Sequence, residues 1–374
     1  MEKENRSREI LKLFTFFFGI GGGLISFLLY FFYRISSIKR IRFKKIEIIE
    51  LSVIIIFFLS FLFSPYKDLA FRSFLVLLLL YITYLLFLRS ENFSIENLYP
   101  LIDYWILGST LLSFGSITVF LYKGTYAETT FLGKNGVGTL LATSLPLAQL
   151  RIFNSQDKLW HILCLLIITG GLILCMSQGA WIGLLLAEIL LFILGDKKIR
   201  KNILFLSFLG LLLLSIFIIR SFLVKDNLFS FFLTRLDMNS SSKTERIYIW
   251  KSAWKMFLDH PITGIGVGTF GLAYPSYKLP QSHIETTPFA HNLPLNLLAE
   301  TGILGFLSFT ILTFSFFIKG LKVFLRQRDL AILSLLSGFT AYMVHQFFDG
   351  TMWSLHLGLG FWFLGAIFAN LYES

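Results

Sequence analysis

Uncharged apolar stretches of roughly 20 residues recur along almost the whole chain, and each is long enough to cross the hydrocarbon core of a bilayer. A membrane β-barrel would instead show segments of about 10 residues in which apolar and polar residues alternate. Residues 74–88 and 203–219 are apolar on nearly every side, which excludes a barrel strand and a coiled-coil seam. Only 15% of the 374 residues are charged, against about 25% in soluble domains. The sequence therefore predicts an all-α, polytopic integral membrane protein.

Hydropathy predicts about eleven membrane spans, within a range of about ten to twelve. Basic residues cluster at 34–45, 197–201 and 319–328, and with this count all three clusters fall on one side of the membrane. Lys and Arg are enriched in cytoplasmic loops, so that side is predicted to be cytoplasmic. The spans are placed near residues 13–33, 47–63, 74–88, 101–122, 135–151, 159–176, 179–195, 202–224, 292–318, 331–347 and 353–371.

One large extracytoplasmic loop interrupts this series of spans. It covers residues 225–291 and separates N-terminal transmembrane helices over 1–224 from C-terminal transmembrane helices over 292–374. Seven Lys and Arg residues in the loop do not oppose a periplasmic location, because long loops are translocated largely regardless of charge. The prediction is a multi-pass protein of the cell inner membrane whose active loop faces the periplasm.

The basic N-terminus conflicts with this count, which places it outside. Either a further crossing is hidden, or the first apolar segment, residues 13–33, does not cross. Gly21, Gly22 and Gly23 in its middle permit a bend or a close helix contact. The segment is longer than a signal-peptide core and lacks a small-residue cleavage site, so we expect it to be retained.

Charge and cysteine content exclude several kinds of function. The net charge of +11 lies largely in short clusters beside apolar runs, and no hydrophilic domain is present to bind nucleic acid. Cys164 and Cys175 share one predicted span and are expected to be small core residues. His283, Glu285 and His291 are spaced too irregularly for a helical zinc motif. We therefore expect neither a metal site nor a nucleic-acid partner.

The periplasmic loop contains a predicted amphipathic helix over 243–259. Ser242 and Glu245 form a capping-box pattern at its start, and His260 and Pro261 follow its end. At about 100° per residue, Arg246 shares one face with Trp250, Ala253 and Phe257. An arginine on such a face either holds a phosphate oxygen with its planar donors or merely packs its stem.

A glycine-rich segment follows this helix, at residues 261–271. Gly266, Gly268 and Gly271 match the dinucleotide pattern G-x-G-x-x-G, but a helix and a proline precede them where that pattern requires a strand. We therefore interpret the segment, which includes Gly264, as a tight turn in which backbone approaches a helix or an anionic ligand.

His291 lies immediately before the span that contains Glu300. One hypothesis is that His291 is a structural histidine at the membrane interface. The other is that it acts as a base, because an unperturbed imidazole pKa of about 6.5 suits proton transfer from a sugar hydroxyl. If His291 is a base, Glu300 or Asp349 would orient its imidazole.

Ionisable residues inside membrane spans are candidates for a functional role by default. Here they are Glu50, Asp103, Glu188, Arg220, Glu300 and His345, and Glu188 marks either an ion path or a buried pair.

Several motifs resemble the signature of the O-antigen ligase and polymerase superfamily. Residues 246–250, 260–270, 290–292 and 299–305 occur in its order and spacing, in a large external loop before a span. Further motifs resemble its Ser-Arg-Gly motif, its Asn-containing span and a late-helix motif; they lie at residues 177–179, 134–146 and 345–349.

The resemblance implies O-antigen ligase-type chemistry in lipopolysaccharide biosynthesis. A glycan would pass from undecaprenyl pyrophosphate to a hydroxyl of the lipid A core oligosaccharide, without a metal or a nucleotide sugar. His291 would be the base, and Arg246 would hold the pyrophosphate leaving group. The remaining positions would support them: Asn292, Gly264, Gly266, Glu300, His345 and Asp349.

Gln178 departs from the superfamily pattern, which usually has arginine at this position. Glutamine hydrogen-bonds a phosphate but cannot neutralise it. Arg220, Lys225 or Arg235, placed near the external face, would supply the missing charge to the donor site.

Other functions remain open on the sequence alone. An O-antigen polymerase and a protein O-oligosaccharyltransferase use the same donor and similar residues. A lipid-linked glycan flippase or transporter would carry its functional charges near the bilayer midplane, where Glu188 lies, and a purely structural scaffold would need no polar site. These motifs do not indicate an oligomeric state.

Overall fold

The structure, a computed structural model, describes residues 2–35, 47–89, 91, 93–124, 126–129, 132–205, 212, 215, 219, 241–350 and 354–373. Over these ranges the chain is helical and contains no strand, so the predicted all-α class is confirmed. A helix satisfies its backbone hydrogen bonds within itself, which is what an apolar surrounding demands.

Most of the described helices share one large hydrophobic core, and residues between 249 and 299 form a second, smaller one. In chain order the helices are α1 (Glu2–Gly19), α2 (Gly23–Ile35), α3 (Ile48–Phe63), α4 (Lys67–Ile82, continued by a π-helical segment, Thr83–Leu88), α5 (Ile95–Lys123), α6 (Lys134–Asn154), α7 (Lys158–Leu174), α8 (Gln178–Leu194), α9 (Ser241–Asp259), α10 (Phe270–Tyr277), α11 (Leu293–Gln327), α12 (Leu330–His345) and α13 (Leu355–Glu373).

Three helices in the described ranges are long and apolar enough to cross a membrane, judged by length and composition: Lys67–Leu85, Ile95–Lys123 and Leu293–Gln327. Shorter apolar helices lie among them at Gly23–Tyr33, Ile48–Phe63, Lys158–Leu174, Gln178–Leu194, Leu330–His345 and Leu357–Tyr372. These helices fit a membrane protein, while the count of about eleven spans stays a prediction.

The first apolar segment folds back on itself. Gly21 has a φ of +84° between α1 and α2, and Ser26 on α2 donates a hydrogen bond to the Phe14 carbonyl at 3.0 Å. Both Ser7 and Tyr30 hydrogen-bond Glu91, so the two outer ends of this hairpin lie together. The arrangement places both outer ends on the same side, and it fits either alternative, a hidden second crossing or no crossing at all.

Most of the ionisable residues inside the predicted spans have partners in the structure. Asp103 accepts two hydrogen bonds from Arg151, each at 2.7 Å, and contacts His161 at 3.1 Å. Glu50 accepts one from Tyr84 at 2.5 Å. Glu188 accepts one from Gln149 at 3.2 Å, which is the buried-pair interpretation. Satisfied groups of this kind stabilise helix packing at low dielectric.

α11 breaks at Gly302, where φ is +64° and ψ is −167°. The glycine-rich segment of residues 261–268, here called the glycine turn, pairs with the backbone at this break. Gly266 N–H donates to the Glu300 carbonyl at 2.9 Å, and Ile303 N–H donates to the Pro261 carbonyl at 2.8 Å. The break therefore leaves few backbone groups without partners, which is how irregular backbone is tolerated at membrane depth. The glycine turn approaches a helix, as one of its two sequence-based readings predicts.

α9, α10 and the glycine turn share a small apolar core of their own, containing Ile265, Phe270 and Tyr274. The predicted inward face of α9 is wrong by about one residue, since Arg246, Trp250 and Phe257 are only half-buried. The buried face differs from the predicted face because the Glu245 carboxylate has hydrogen-bond donors and can therefore be buried beside apolar residues. The buried positions are Glu245, Ile249, Ser252, Ala253 and Met256.

Replacing Gly302 with Ala is expected to destabilise the protein. A Cβ at this position would lie 2.3 Å from the Ile262 carbonyl oxygen, and its backbone conformation is almost confined to glycine. We expect a loss of at least about 2 kcal/mol in the free energy of unfolding, measured by denaturation in detergent.

Gly115→Ala in α5 is the matched control, because no atom lies within 4 Å of the Cβ it would add. It should leave the melting temperature unchanged or raise it. Equal melting temperatures for the two variants would contradict this account of the break.

Candidate functional site

His291 lies where the loop from α10 enters α11, and its φ of +52° is in the left-handed region. That conformation costs a non-glycine residue about 1–3 kcal/mol, so its neighbours must hold it. Asn292 does so by capping α11: its side-chain oxygen accepts the Leu295 N–H at 3.0 Å. The Asn292 amide also donates to the Phe347 carbonyl at 3.0 Å, which ties this loop to the segment after α12.

Asp349 lies against the imidazole of His291. Its Oδ1 is 3.0 Å from His291 Nδ1 and also accepts the Gly350 N–H at 2.9 Å. A carboxylate at this position favours the tautomer with the proton on Nδ1, which leaves Nε2 as the proton acceptor. The Phe289 ring contacts the imidazole edge to face, with centroids 4.6 Å apart.

The two members of this pair differ in exposure, and the difference suits a base with a buried orienting group. The His291 side chain is 28% exposed, whereas that of Asp349 is 3% exposed. Burial raises the pKa of Asp349, but the hydrogen bond with His291 and the positive charge of Arg246 outweigh it and hold that pKa below its ordinary value. The carboxylate therefore stays ionised beside the imidazole at neutral pH.

Glu300 does not orient His291, so that alternative is wrong. Its two carboxylate oxygens accept the backbone N–H groups of Gly268 and Phe270, each at 3.0 Å. Glu300 thus fastens the glycine turn, including Gly264 and Gly266, to α11. Nine residues along a helix carry a side chain several turns away from its start, which is why Glu300 serves another segment.

Arg246 lies beside the same pair. Its Nη1 donates a hydrogen bond to the Phe348 carbonyl at 3.1 Å, directly before Asp349 in the chain. In the described ranges no carboxylate oxygen lies within 4.0 Å of the Arg246 guanidinium. Its remaining donors are thus not engaged by an ion pair there, which suits the binding of an external anion.

A buried polar network connects the starts of α6 and α8 to the end of α12. His345 contacts the Thr139 hydroxyl at 2.8 Å and the Ser177 hydroxyl at 3.2 Å, and Ser177 donates to Asn135 at 3.1 Å. The three superfamily-like motifs that contain Asn135, Ser177 and His345 therefore meet in space. The network places Gln178, the first residue of α8, beside the start of α6.

The loop that leads to His291 is tied to α9 through Glu245. Its carboxylate accepts the Ser282 hydroxyl at 2.6 Å and the His283 N–H at 3.0 Å. The predicted capping box with Ser242 is therefore wrong: α9 begins at Ser241, and Glu245 binds residues distant in sequence. Motif spacing alone does not reveal such a partner.

Other predicted site residues fall elsewhere. Arg220, Lys225 and Arg235 lie outside the described residues. Lys134, which was not among the predicted site residues, lies near enough to Arg246 and Asp349 for their charges to act on it. The signal in the sequence was a cation at the start of an apolar span, within the Asn-containing motif. Within the described ranges, no group of three or more His, Cys, Asp and Glu residues is arranged to hold a metal ion.

Residues 163–310 match the model of a family described as O-antigen ligase. The predicted resemblance to the O-antigen ligase superfamily is confirmed. The match extends from α7 into α11 and includes Gln178, Arg246 and His291, whereas Lys134 and Asp349 lie outside it. A search of curated proteins found no match.

Glu245→Gln is expected to loosen the loop before His291 and to do so in a pH-dependent way. The hydrogen bonds from Ser282 and His283 lower the pKa of Glu245 below its ordinary 4.5. The ionised carboxylate therefore stabilises the fold above about pH 4.5, and this contribution is lost as pH falls through the lowered pKa. We expect the variant to melt below the wild type at pH 7, with the gap narrowing on acidification.

Glu285→Gln is the control for this measurement, because the Glu285 side chain is 79% exposed and, among the residues that the structure describes, pairs with Lys278 alone. Its melting temperature should follow that of the wild type at every pH. A gap for Glu245→Gln that stays constant down to strong acid would contradict the role of the carboxylate charge.

Proposed function

We propose that this protein is a membrane glycan ligase that transfers a glycan from undecaprenyl pyrophosphate to an acceptor hydroxyl on the periplasmic side of the inner membrane. The acceptor we propose is the lipid A core oligosaccharide, in lipopolysaccharide biosynthesis. The family match supports transfer of the ligase or polymerase type. The observation that carries the proposal is the His291–Asp349 pair, with Arg246 beside it.

The proposed reaction displaces a diphosphate from the anomeric carbon of the donor sugar. The acceptor oxygen forms a bond to that carbon while its proton passes to Nε2 of His291. The bond between the anomeric carbon and the diphosphate oxygen breaks, and the diphosphate keeps the electron pair. Arg246 binds the charge that the leaving group acquires, and undecaprenyl pyrophosphate is released.

Such a donor is already activated, so the protein has a limited chemical task. It must supply a base, cationic groups for the leaving diphosphate, and alignment of the two substrates. Asp349 serves the base by holding one imidazole tautomer and stabilising the imidazolium that forms. The proposed step uses no metal cofactor, because the donor already carries a diphosphate leaving group and the cationic side chains bind its charge.

A lipid-linked donor also fits an apolar groove between α11 and α12. The groove is a cavity of about 260 Å³. The end of the groove that Leu293 and Gln346 line lies beside the site, and there Leu293 N–H donates to the Gln346 carbonyl at 2.8 Å. The hydroxyls of Thr313 and Thr340 bond within their own helices, so they add no free polar group. The apolar lining includes Leu297, Phe306, Phe309, Phe314, Phe339 and Met343.

The charge pattern supports a periplasmic site. Lys319 near the end of α11 contacts Glu47 at the start of α3, whereas His291 lies at the opposite end of α11. The basic cluster at 319–328 therefore lies at the other end of α11 from His291. The cluster at 197–201 follows the end of α8, whose opposite end is joined to His345 through Ser177. If the basic ends are cytoplasmic, His291 faces the periplasm.

His291→Ala is expected to reduce glycan transfer by at least about 100-fold, because a positioned base contributes about 10²–10⁴-fold. Asp349→Asn should cause a similar loss, since the amide no longer stabilises the imidazolium. The measurement complements a deletion strain with each variant and analyses lipopolysaccharide together with the undecaprenyl-linked glycan pool.

His283→Ala is the matched control: its side chain is exposed in the same loop, and Glu245 binds only its backbone N–H. Long polymer accumulating on undecaprenyl pyrophosphate beside bare lipid A core would support ligation. Core bearing a single repeat would instead indicate a polymerase, and unchanged pools would indicate another acceptor, such as a protein hydroxyl. Loss of activity from Glu188→Gln but not from His291→Ala would point to transport.

Thr313→Trp is expected to raise the KM for a long-chain polyprenyl donor by partly filling the groove, with a smaller effect on a short-chain analogue. Thr118→Trp in α5 is the matched control, because its hydroxyl also bonds within its own helix and its side chain is exposed. A steady-state assay with both donors in detergent measures the difference. Equal KM values for the two variants would show that the groove does not contact the donor chain.

A further inference from the structure

Two cations flank the His291–Asp349 pair without an ion-pair partner among the described residues. One is Arg246, and the other is Lys134, the first residue of α6. The Lys134 ammonium lies 4.3 Å from the ring centroid of Tyr126. Within the described ranges, no carboxylate oxygen lies within 4.0 Å of either cation.

The two cations act on one another electrostatically. Burial lowers the pKa of Lys134, and the positive charge of Arg246 lowers it further, whereas Asp349 opposes them. Like charges near one another destabilise the protein unless an anion neutralises them. The Asp349 carboxylate acts on both cations, but it is also hydrogen-bonded to His291. Glu128 acts on Lys134 as well, and it forms an ion pair with Lys123.

The packing of α6 against α8 places Lys134 beside Gln178. Asn135 accepts a hydrogen bond from Ser177 at 3.1 Å, and a Cβ on Gly138 would lie 2.9 Å from the Ser177 Cβ. These contacts join residue 135 to residue 177, so the neighbouring residues 134 and 178 lie at the same end of the bundle. Gln178 can hydrogen-bond a phosphate there but brings no charge.

We propose that Lys134 and Arg246 together form a two-cation site for the diphosphate of the lipid-linked donor, with Lys134 supplying the charge that Gln178 lacks. The proposal rests on the proposed function for the identity of the donor. A diphosphate carries charge on two phosphoryl groups, and two cations on different helices can contact both. The cation–π contact with Tyr126 restricts the position of the Lys134 ammonium at this site.

The test measures binding of inorganic pyrophosphate to the purified full-length protein, independently of any transfer activity. Lys134→Met keeps the apolar stem and removes the charge, and we expect it to weaken binding about tenfold. Lys134→Arg keeps the charge and should bind within a few-fold of the wild type. Failure of the proposed transfer reaction would leave this binding measurement unaffected, so the two proposals can fail separately.

A second variant tests the link with Gln178. Adding Gln178→Arg to Lys134→Met returns a cation to the same end of the bundle, and we expect it to restore much of the pyrophosphate affinity. Lys198→Ala is the matched control, because the Lys198 ammonium also lies over an aromatic ring, 5.1 Å from Phe153, at the opposite end of α8. Melting temperatures identify any variant that fails to fold.

Three outcomes would overturn the proposal. Wild-type affinity in Lys134→Met would show that Arg246 binds the anion without Lys134. An equal loss in Lys198→Ala would show that only the overall charge matters. A loss in Lys134→Arg as large as that in Lys134→Met, with both variants folded, would show that the ammonium packs against Tyr126 without binding the anion.

Discussion

Backbone groups freed inside an apolar bundle must find partners, and the break of α11 at Gly302 shows how this chain meets that constraint. The glycine turn donates to the carbonyls of Ala299 and Glu300, and the Glu300 carboxylate accepts the N–H groups of Gly268 in this turn and of Phe270 at the start of α10. Ser60 on α3 adds a hydrogen bond to the Glu300 carbonyl at 2.7 Å. Because these bonds join α3, α11 and the glycine turn, the first residues of α11 lie in a fixed position.

That position determines the surroundings of His291. The imidazole lies at the entrance to α11, and the Asn292 contact to residue 347 brings the segment after α12 against it. Asp349 then orients the imidazole, while Arg246 reaches the same segment from α9. The proposed base, its carboxylate partner and a cation therefore come from three parts of the chain, as the proposed chemistry requires.

Residue spacing predicted the helical class correctly, and it was wrong where a partner distant in sequence decided the outcome. Apolar length indicated the all-α class, and Gly21 to Gly23 suggested the bend between α1 and α2. The buried face of α9 differs from the prediction because Glu245 is satisfied by Ser282 and His283. Periodicity alone ranks a glutamate as exposed, so it cannot detect a carboxylate buried with its donors.

The sequence by itself determined that the chain is a helical membrane protein with its polar motifs concentrated before α11, because apolar length and loop composition are local properties. Only the tertiary structure decided that Asp349, and not Glu300, contacts His291, and that Lys134 lies at the same end of the bundle as Arg246. His291 and Asp349 are 58 positions apart in the chain, and Lys134 and Arg246 are farther apart still. Which distant residues come together depends on how helices pack, and packing is a property of the whole chain.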